Sequence, residues 1–293
     1  MKKIAYYTLR AVVELFRFVP FSVLYLLSDG FAWTLHRVVG YRRAVIESNL
    51  RAAFPERSEE ELAQIIRDTY RNLTDLALET IKGFTAPLSE LNRRCVTLNV
   101  ELANQHLREG RMVLMSGSHY CSWEWPCLTF PHQLEGLGVT VYKPLSNPYV
   151  NAFYNQKRAR DGMIMVNMEE TYGGMRRRQG EGSAWFMVSD QSPANYRNAH
   201  WLPFLNQETA FLPGLDLLSR KFNAPVLYFN VQRIRRGHYE VRFEEICTTP
   251  SETPPGEITR RYAAHIERII CERPANWLWS HKRWKRGRAD IQA

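Results

Sequence analysis

No apolar run in the sequence is long enough to cross a bilayer as a regular helix. The longest uncharged stretch near the N-terminus, Phe18 to Ser28, is far short of the ~20 residues a span needs. Cysteine is scarce and odd in number, five in 293 residues, with no C-x-x-C pair, which excludes a zinc ribbon or disulfide framework and fits a reducing compartment. A cleavable leader is also missing. Met-Lys-Lys is followed by apolar residues, but Arg10, Glu14 and Arg17 interrupt them and no small-residue cleavage site follows. The chain has no internal repeat, low-complexity segment or long linker. It lacks the G-x-S-x-G elbow of serine hydrolases and any signature of a nucleic-acid-binding fold.

What remains is a foldable, basic chain. It is 45% hydrophobic and 24% charged, too apolar for disorder and long enough for one large domain or two small ones. The net charge of +9 sits at the ends. Residues 1–50 carry seven Lys/Arg against three Asp/Glu, and the tail from His281 carries Lys282, Arg283, Lys285, Arg286 and Arg288 against Asp290. Charge so concentrated points to an anionic surface, and solvated basic ends without a partner are the plainer reading.

Residues 4–50 predict two or three apolar helices broken at Pro20 and Gly30. Aromatic and basic residues interleave there as they do in helices that lie in a membrane interface, although a core helical pair would look similar. Ser58 and Glu61 form a capping box ahead of Leu62, Ile65, Ile66 and Tyr70 at helical spacing. From about residue 90, strands and helices alternate. Strands are expected at Met112–Met115, Val139–Tyr142, Met163–Val166, Ala184–Val188, Val226–Val231 and Tyr239–Phe243. Helices are expected around Trp123–Phe130, Pro148–Arg160, Glu170–Gln179 and Leu212–Lys221, with a closing helix over 257–272. The pattern implies an α/β fold with a mixed, largely parallel sheet flanked by helices. The "RIRRGH" turn at Gly237 makes its last pair antiparallel.

"SGSHYCSWEWPC" places His119 after the first of those strands, where ligands bind in α/β sheets. Glu124 follows five residues later. On a continuous helix the two would point about 140° apart, so they meet only if His119 lies in the turn and Glu124 opens the next helix. A carboxylate on one imidazole nitrogen fixes the tautomer and makes the other a general base. The spacing is equally compatible with a structural histidine. Ser118 and Ser122 lack an elbow, Cys121 has no thiol-nucleophile signature, and His132 alone supplies no metal site.

"GSHYCSWEW" resembles the first motif of the late-acting lipid A biosynthesis acyltransferases, the lauroyl/myristoyl branch of the lysophospholipid acyltransferase superfamily. Further stretches resemble that branch in the same order. They are "ESNLRAAFPERS", "VYKPLSNPYVNAFYNQKRARDG", "VSDQSP", "WLPFLNQETAFLPG" and "ERPANWLWSHKRWK". Together they cover nearly the whole chain. One block departs: Phe204, Leu205 and Asn206 stand where the branch has Phe-Phe-Gly or similar, which bears on acceptor and chain-length specificity.

The resemblance implies a glycerolipid-acyltransferase-like domain over residues 46–293, preceded by a membrane-anchoring helical segment over 1–45. It implies transfer of an acyl chain from acyl carrier protein or acyl-CoA to a hydroxyl of a membrane lipid, a lipid A precursor above all, at the cytoplasmic face of the inner membrane. Anionic phospholipid would be a partner and nucleic acid would not. His119 and Glu124 would be the catalytic dyad, with no covalent acyl-enzyme, cofactor or metal. Lys143, Asn147, Arg158, Arg160, Asp190 and Gln191 would contact substrate. Arg158 and Arg160 could equally form a solvated helix face, as Arg176–Arg178 do more readily, and Asp190 could simply organise its loop. Oxyanion donors would come from amides near Gly117–Ser118, or from Arg158 or Arg160. The alternatives are a lysophospholipid or aminolipid acceptor, or a soluble thioesterase or hydrolase in which the same histidine activates water.

Overall fold

Apolar runs bounded by turns become the strands of one sheet in the computed structural model, which describes residues 1–288. Three helices come first: α1 (Lys2–Phe16), α2 (Phe21–Trp33) and α3 (Arg43–Ala53). The long α4 (Glu59–Gly83) and short α5 (Leu88–Arg94) lead into β1 (Cys95–Thr97) and α6 (Glu101–Arg108). Then come β2 (Val113–Gly117), α7 (Glu124–Thr129), β3 (Leu137–Tyr142), α8 (Pro148–Ala159), β4 (Ile164–Asn167), α9 (Thr171–Arg177) and β5 (Ser183–Val188). A hairpin of β6 (His200–Phe204) and β7 (Gln207–Phe211) precedes α10 (Gly214–Phe222), β8 (Val226–Arg235), β9 (His238–Cys247) and α11 (Glu257–Glu272).

Seven strands form the main sheet in the order β1-β9-β8-β2-β5-β3-β4. Only β8 and β9 pair antiparallel, through a turn in which Gly237 has φ 72°. The centre is apolar on both faces, as a sheet covered by helices requires. Val113, Leu114, Met115, Ala184, Trp185 and Phe186 are all buried. Each expected strand and helix is present. The features that escaped the sequence are the short helices α5 and α6, the three-residue β1, too short for a periodic signal, and the β6–β7 hairpin, whose Pro203 reads as a strand breaker.

At the N-terminus the expected break at Pro20 is present, capping α2. The expected break at Gly30 is not. The helix runs through Gly30 into a π-helical turn at Thr34–Val39 and stops at Gly40, φ 61°. Tertiary contacts override the weak helix propensity of Gly30. Ser28 donates to Asp75 at 2.6 Å, and Asp29 takes both Arg71 and Arg236. Residues 1–45 are thus docked on α4 and α8. Lys82 fastens α1 as well, donating to the terminal carbonyls of Phe16 and Arg17 at 2.9 and 3.0 Å.

Helix α4 starts with the capping box, Glu61 N–H donating to Ser58 Oγ and Ser58 N–H to the Glu61 carboxylate. Its inner face buries Leu62, Ile65, Ile66 and Tyr70, and further along it buries charge. Glu79 is fully buried and accepts from Tyr25 of α2 at 2.8 Å and Tyr239 of β9 at 2.6 Å. Burial pushes its carboxyl up to about 7, against the opposing pull of Arg233 and the two tyrosine hydrogen bonds. A carboxyl with a raised folded pKa binds more protons folded than unfolded between about pH 4 and 7, so its contribution is present at low pH and lost as the pH rises. Glu79→Gln should therefore match wild type near pH 4 and gain on it by up to about 3 kcal/mol by pH 8, read from denaturant unfolding across that range.

Candidate active site

Strands β2 and β5 pair in parallel register from Val113 opposite Ala184 to Gly117 opposite Val188. Two residues beyond the ladder, the same offset sets His119 beside Asp190. The contacts follow: His119 Nδ1 lies 2.6 Å from Asp190 Oδ1, and the His119 amide donates to Oδ2 at 2.9 Å. Gly117 lets the turn sit this low, since a Cβ there would overlap the Phe229 ring.

Asp190 is buried and receives a third donor, Trp277 Nε1, at 2.7 Å. Burial alone would push its carboxyl up. Attraction to His119 and the hydrogen bonds from the imidazole, the Trp277 indole and the His119 amide outweigh that and hold it below the ordinary aspartate value. An ionised Asp190 accepts a hydrogen bond from Nδ1–H and so leaves Nε2 as the ring's acceptor nitrogen. Nε2 lies 3.0 Å from the Gln191 amide nitrogen. The turn itself is braced by the C-terminal segment, Leu278 N–H donating to His119 O and Cys121 N–H to Asn276 O. Cys121 adopts φ 50°, a left-handed conformation for a non-glycine residue held by those contacts. His281, pushed down to about 4 by burial, accepts from Ser192 N–H and fastens the segment after Gln191.

His119 opens into a cavity of about 460 Å³ walled by α7, α8, β3 and β5, within the size range of ligand sites. Sequence analysis put Glu124 on the imidazole. In the structure Glu124 instead pairs with Arg158, whose Nε donates to it at 2.9 Å and whose Nη2 makes a second bond. Burial would lower the Arg158 guanidinium's pKa, but Glu124 holds it raised. Glu124 opens α7, as expected, yet its carboxylate faces α8. The carboxylate on Nδ1 is Asp190, the residue read as organising a loop.

Of the other expected contacts, Arg158, Lys143 and Gln191 line this cavity. Asn147 and Arg160 do not. Asn147 caps α8, accepting from Tyr149 N–H at 3.1 Å. Arg160 lies past the end of that helix, on Asp161 and the Ala86 carbonyl, and lines a separate cleft against α1. Leu205 and Asn206, at φ 50° and 59°, form the two-residue tip of the β6–β7 hairpin and are absent from the cavity lining. That conformation suits a tight hairpin turn with Asn at its second position.

The neighbouring thiols and hydroxyls are occupied or unactivated. Burial pushes Cys127 up to about 11 and Cys121 up to about 12, the opposite of an activated thiolate. Ser118 Oγ is 2.7 Å from the Tyr228 hydroxyl. Among the described residues, no group of three or more His, Cys, Asp or Glu is arranged to hold a metal. The contributions of Trp277 and Tyr228 were missed. Only the strand register brings Tyr228 near, and only the fold of the C-terminal segment delivers Trp277.

The sequence as a whole was also compared with known proteins. Residues 2–286 match the model of the bacterial lipid A biosynthesis acyltransferases. The lipid A biosynthesis lauroyltransferase of Escherichia coli (strain K12) is 24% identical over 91% of this chain and 87% of its own. The lipid A biosynthesis palmitoleoyltransferase of the same organism and the lipid A biosynthesis acyltransferase of Haemophilus influenzae are each 24% identical over 91% of this chain and 86% of their own. A match over almost the entire chain places this protein in the bacterial lipid A biosynthesis acyltransferase family, as an O-acyltransferase.

Proposed function

We propose that the protein transfers a fatty acyl chain from a thioester, on acyl carrier protein or coenzyme A, to a hydroxyl of a lipid A precursor, with His119 as general base and Asp190 as its orienter. The His119 Nδ1–Asp190 contact at 2.6 Å, with Nε2 facing the 460 Å³ cavity, carries this reading. The acceptor hydroxyl displaces the Gln191 amide from Nε2 and gives up its proton there. Its oxygen attacks the thioester carbonyl, and the tetrahedral intermediate expels a thiolate that recovers the proton from the imidazolium. Asp190 stabilises the imidazolium between these steps. The released Gln191 amide and Arg158 are the donors offered to the oxyanion. Glu124 keeps Arg158 in the wall and so acts as a positioning residue.

The same reading places the protein on the cytoplasmic face of the inner membrane. Among the described residues no helix is long and apolar enough to cross a membrane. The exposed large apolar side chains nevertheless crowd the first 41 residues, Ile4, Tyr7, Leu15, Phe18, Leu26, Phe31 and Trp33 among them. With Lys2, Lys3 and the exposed Lys282, Lys285 and Arg286 of the tail they suit an interfacial attachment to anionic lipid, whereas Arg283 is buried and donates to the Ala210 carbonyl.

Asp190→Asn should lower kcat about 10²- to 10⁴-fold, because the amide can leave the wrong imidazole tautomer. Glu124→Gln should fall less, since it leaves the Nδ1 contact in place. Steady-state acyl transfer by purified, folded variants measures both, and equal losses would remove Asp190 from its role. For the attachment, high salt should leave the full-length protein on membranes. A Leu26→Ser, Phe31→Ser and Trp33→Ser triple variant should become salt-extractable in sedimentation assays. Full-length protein that stays in the supernatant at low salt without detergent would contradict the attachment.

A further inference from the structure

A second cavity, of about 380 Å³, lies between α4 and the turn that follows α11, and shares no lining residue with the His119 cavity. Four arginines line it, Arg57, Arg71, Arg233 and Arg273, against one carboxylate, Asp68. Two of the four are neutralised from outside the cavity: Arg71 by Asp29 at 3.2 Å and Arg233 by Asp75 at 3.2 Å. Asp68 accepts from Gln64 at 2.9 Å. Arg57 and Arg273 have no carboxylate partner among the described residues. Arg57 packs over the Phe54 ring at 4.8 Å, and Arg273 donates to the Arg233 carbonyl at 3.0 Å. The excess positive charge left on Arg57 and Arg273 is relieved by a bound anion, and planar forks of this kind match phosphate oxygens in pairs.

We propose that this cavity binds a phosphate group, through Arg57 and Arg273 as the two uncommitted forks with Arg71 and Arg233 behind them. The phosphate comes either from an anionic phospholipid headgroup or from a soluble phosphate. Arg71 is tied through Asp29 to α2, whose Val23, Leu26 and Leu27 are exposed and apolar, so a headgroup here has a hydrocarbon-compatible surface on the adjoining helix. The site also adjoins the catalytic turn from behind. Asn276, in its lining, accepts from Cys121 N–H and Asn72, and its amide donates to the Tyr120 hydroxyl. The proposal stands independently of the acyl-transfer reading.

Isothermal titration of inorganic phosphate into the full-length protein in uncharged detergent tests it. Wild type should show saturable binding, and Arg57→Gln/Arg273→Gln should lose about tenfold or more in affinity. The Arg57→Lys/Arg273→Lys variant keeps the charge without the fork and should bind with intermediate affinity, which decides the matter if the glutamine variant fails to fold. Arg176→Gln/Arg177→Gln, on α9, removes the same charge elsewhere and should bind as wild type does. In a second arm, dihexanoyl-phosphatidylglycerol and dihexanoyl-phosphatidylcholine are added as competitors. Displacement by the glycerol lipid alone assigns the site to an anionic headgroup, and displacement by neither assigns it to a soluble phosphate. Absence of saturable heat with both phosphate and phosphatidylglycerol, or an equal loss in the α9 control, would overturn the proposal.

Discussion

The Asp190 carboxylate is the constraint on which the site depends. It is buried, and a buried carboxylate is costly unless its charge is fully engaged. Here three donors from two parts of the chain converge on it: the ring and amide of His119 and the indole of Trp277. Each donor does more than satisfy the charge. The ring contact selects the Nδ1–H tautomer, the amide contact pins the backbone of the turn, and the indole contact fastens the C-terminal segment across the ends of β2 and β5. Removing the carboxylate would therefore disturb orientation, turn geometry and tail docking together.

The strand ladder supplies the precision. A parallel sheet fixes the relative height of two strands at every rung, so the residues just past the ends of β2 and β5 emerge side by side. Catalytic side chains built on such ends inherit the rigidity of the sheet. The aromatic floor below, with Phe130, Phe186 and Phe229 in mutual contact, leaves little room for the turn to sink, and the Tyr262 hydroxyl holds the Gly117 carbonyl at 2.7 Å.

Much of this was legible in the sequence because hydrophobic period and turn residues are local signals. The strand expected at Met112–Met115, the capping box at Ser58 and the hairpin at Gly237 each announce themselves within a few residues. The partner of His119 does not. Glu124 is near in sequence, and the requirement that it open a helix was met, yet helix α7 directs it to Arg158 on α8. Asp190 is 71 positions away, in the same register two residues past the end of the ladder, and strand order is a global property that no local window contains. That Asn147 and Arg160 fall outside the cavity lining has a related reason. Residues a turn apart on one helical segment look alike as polar positions, but only those on the face carrying Tyr154 and Arg158 reach the cavity. Gly30 shows the reverse error, a strong local breaker overruled by the ion pairs and hydrogen bonds of its neighbours Ser28 and Asp29.

Helix α8 lies between α1 and the His119 cavity. One face, with Asn151, Tyr154, Asn155 and Arg158, walls the His119 cavity. Another, with Phe153 and Lys157, packs against Tyr6, Val13 and Glu14 of α1. The helix that presents exposed Ile4, Tyr7 and Leu15 is thus one layer from the cavity that His119 lines. An element that attaches to a lipid surface through α1 would feel any shift of that surface at α8, and Arg158 would carry it to Glu124 and α7. The ion pair between Glu124 and Arg158 is largely shielded from solvent, so breaking it would strand a buried charge, which is strongly unfavourable. This resists independent motion of the two helices and couples α1, the cavity wall and the turn that carries His119.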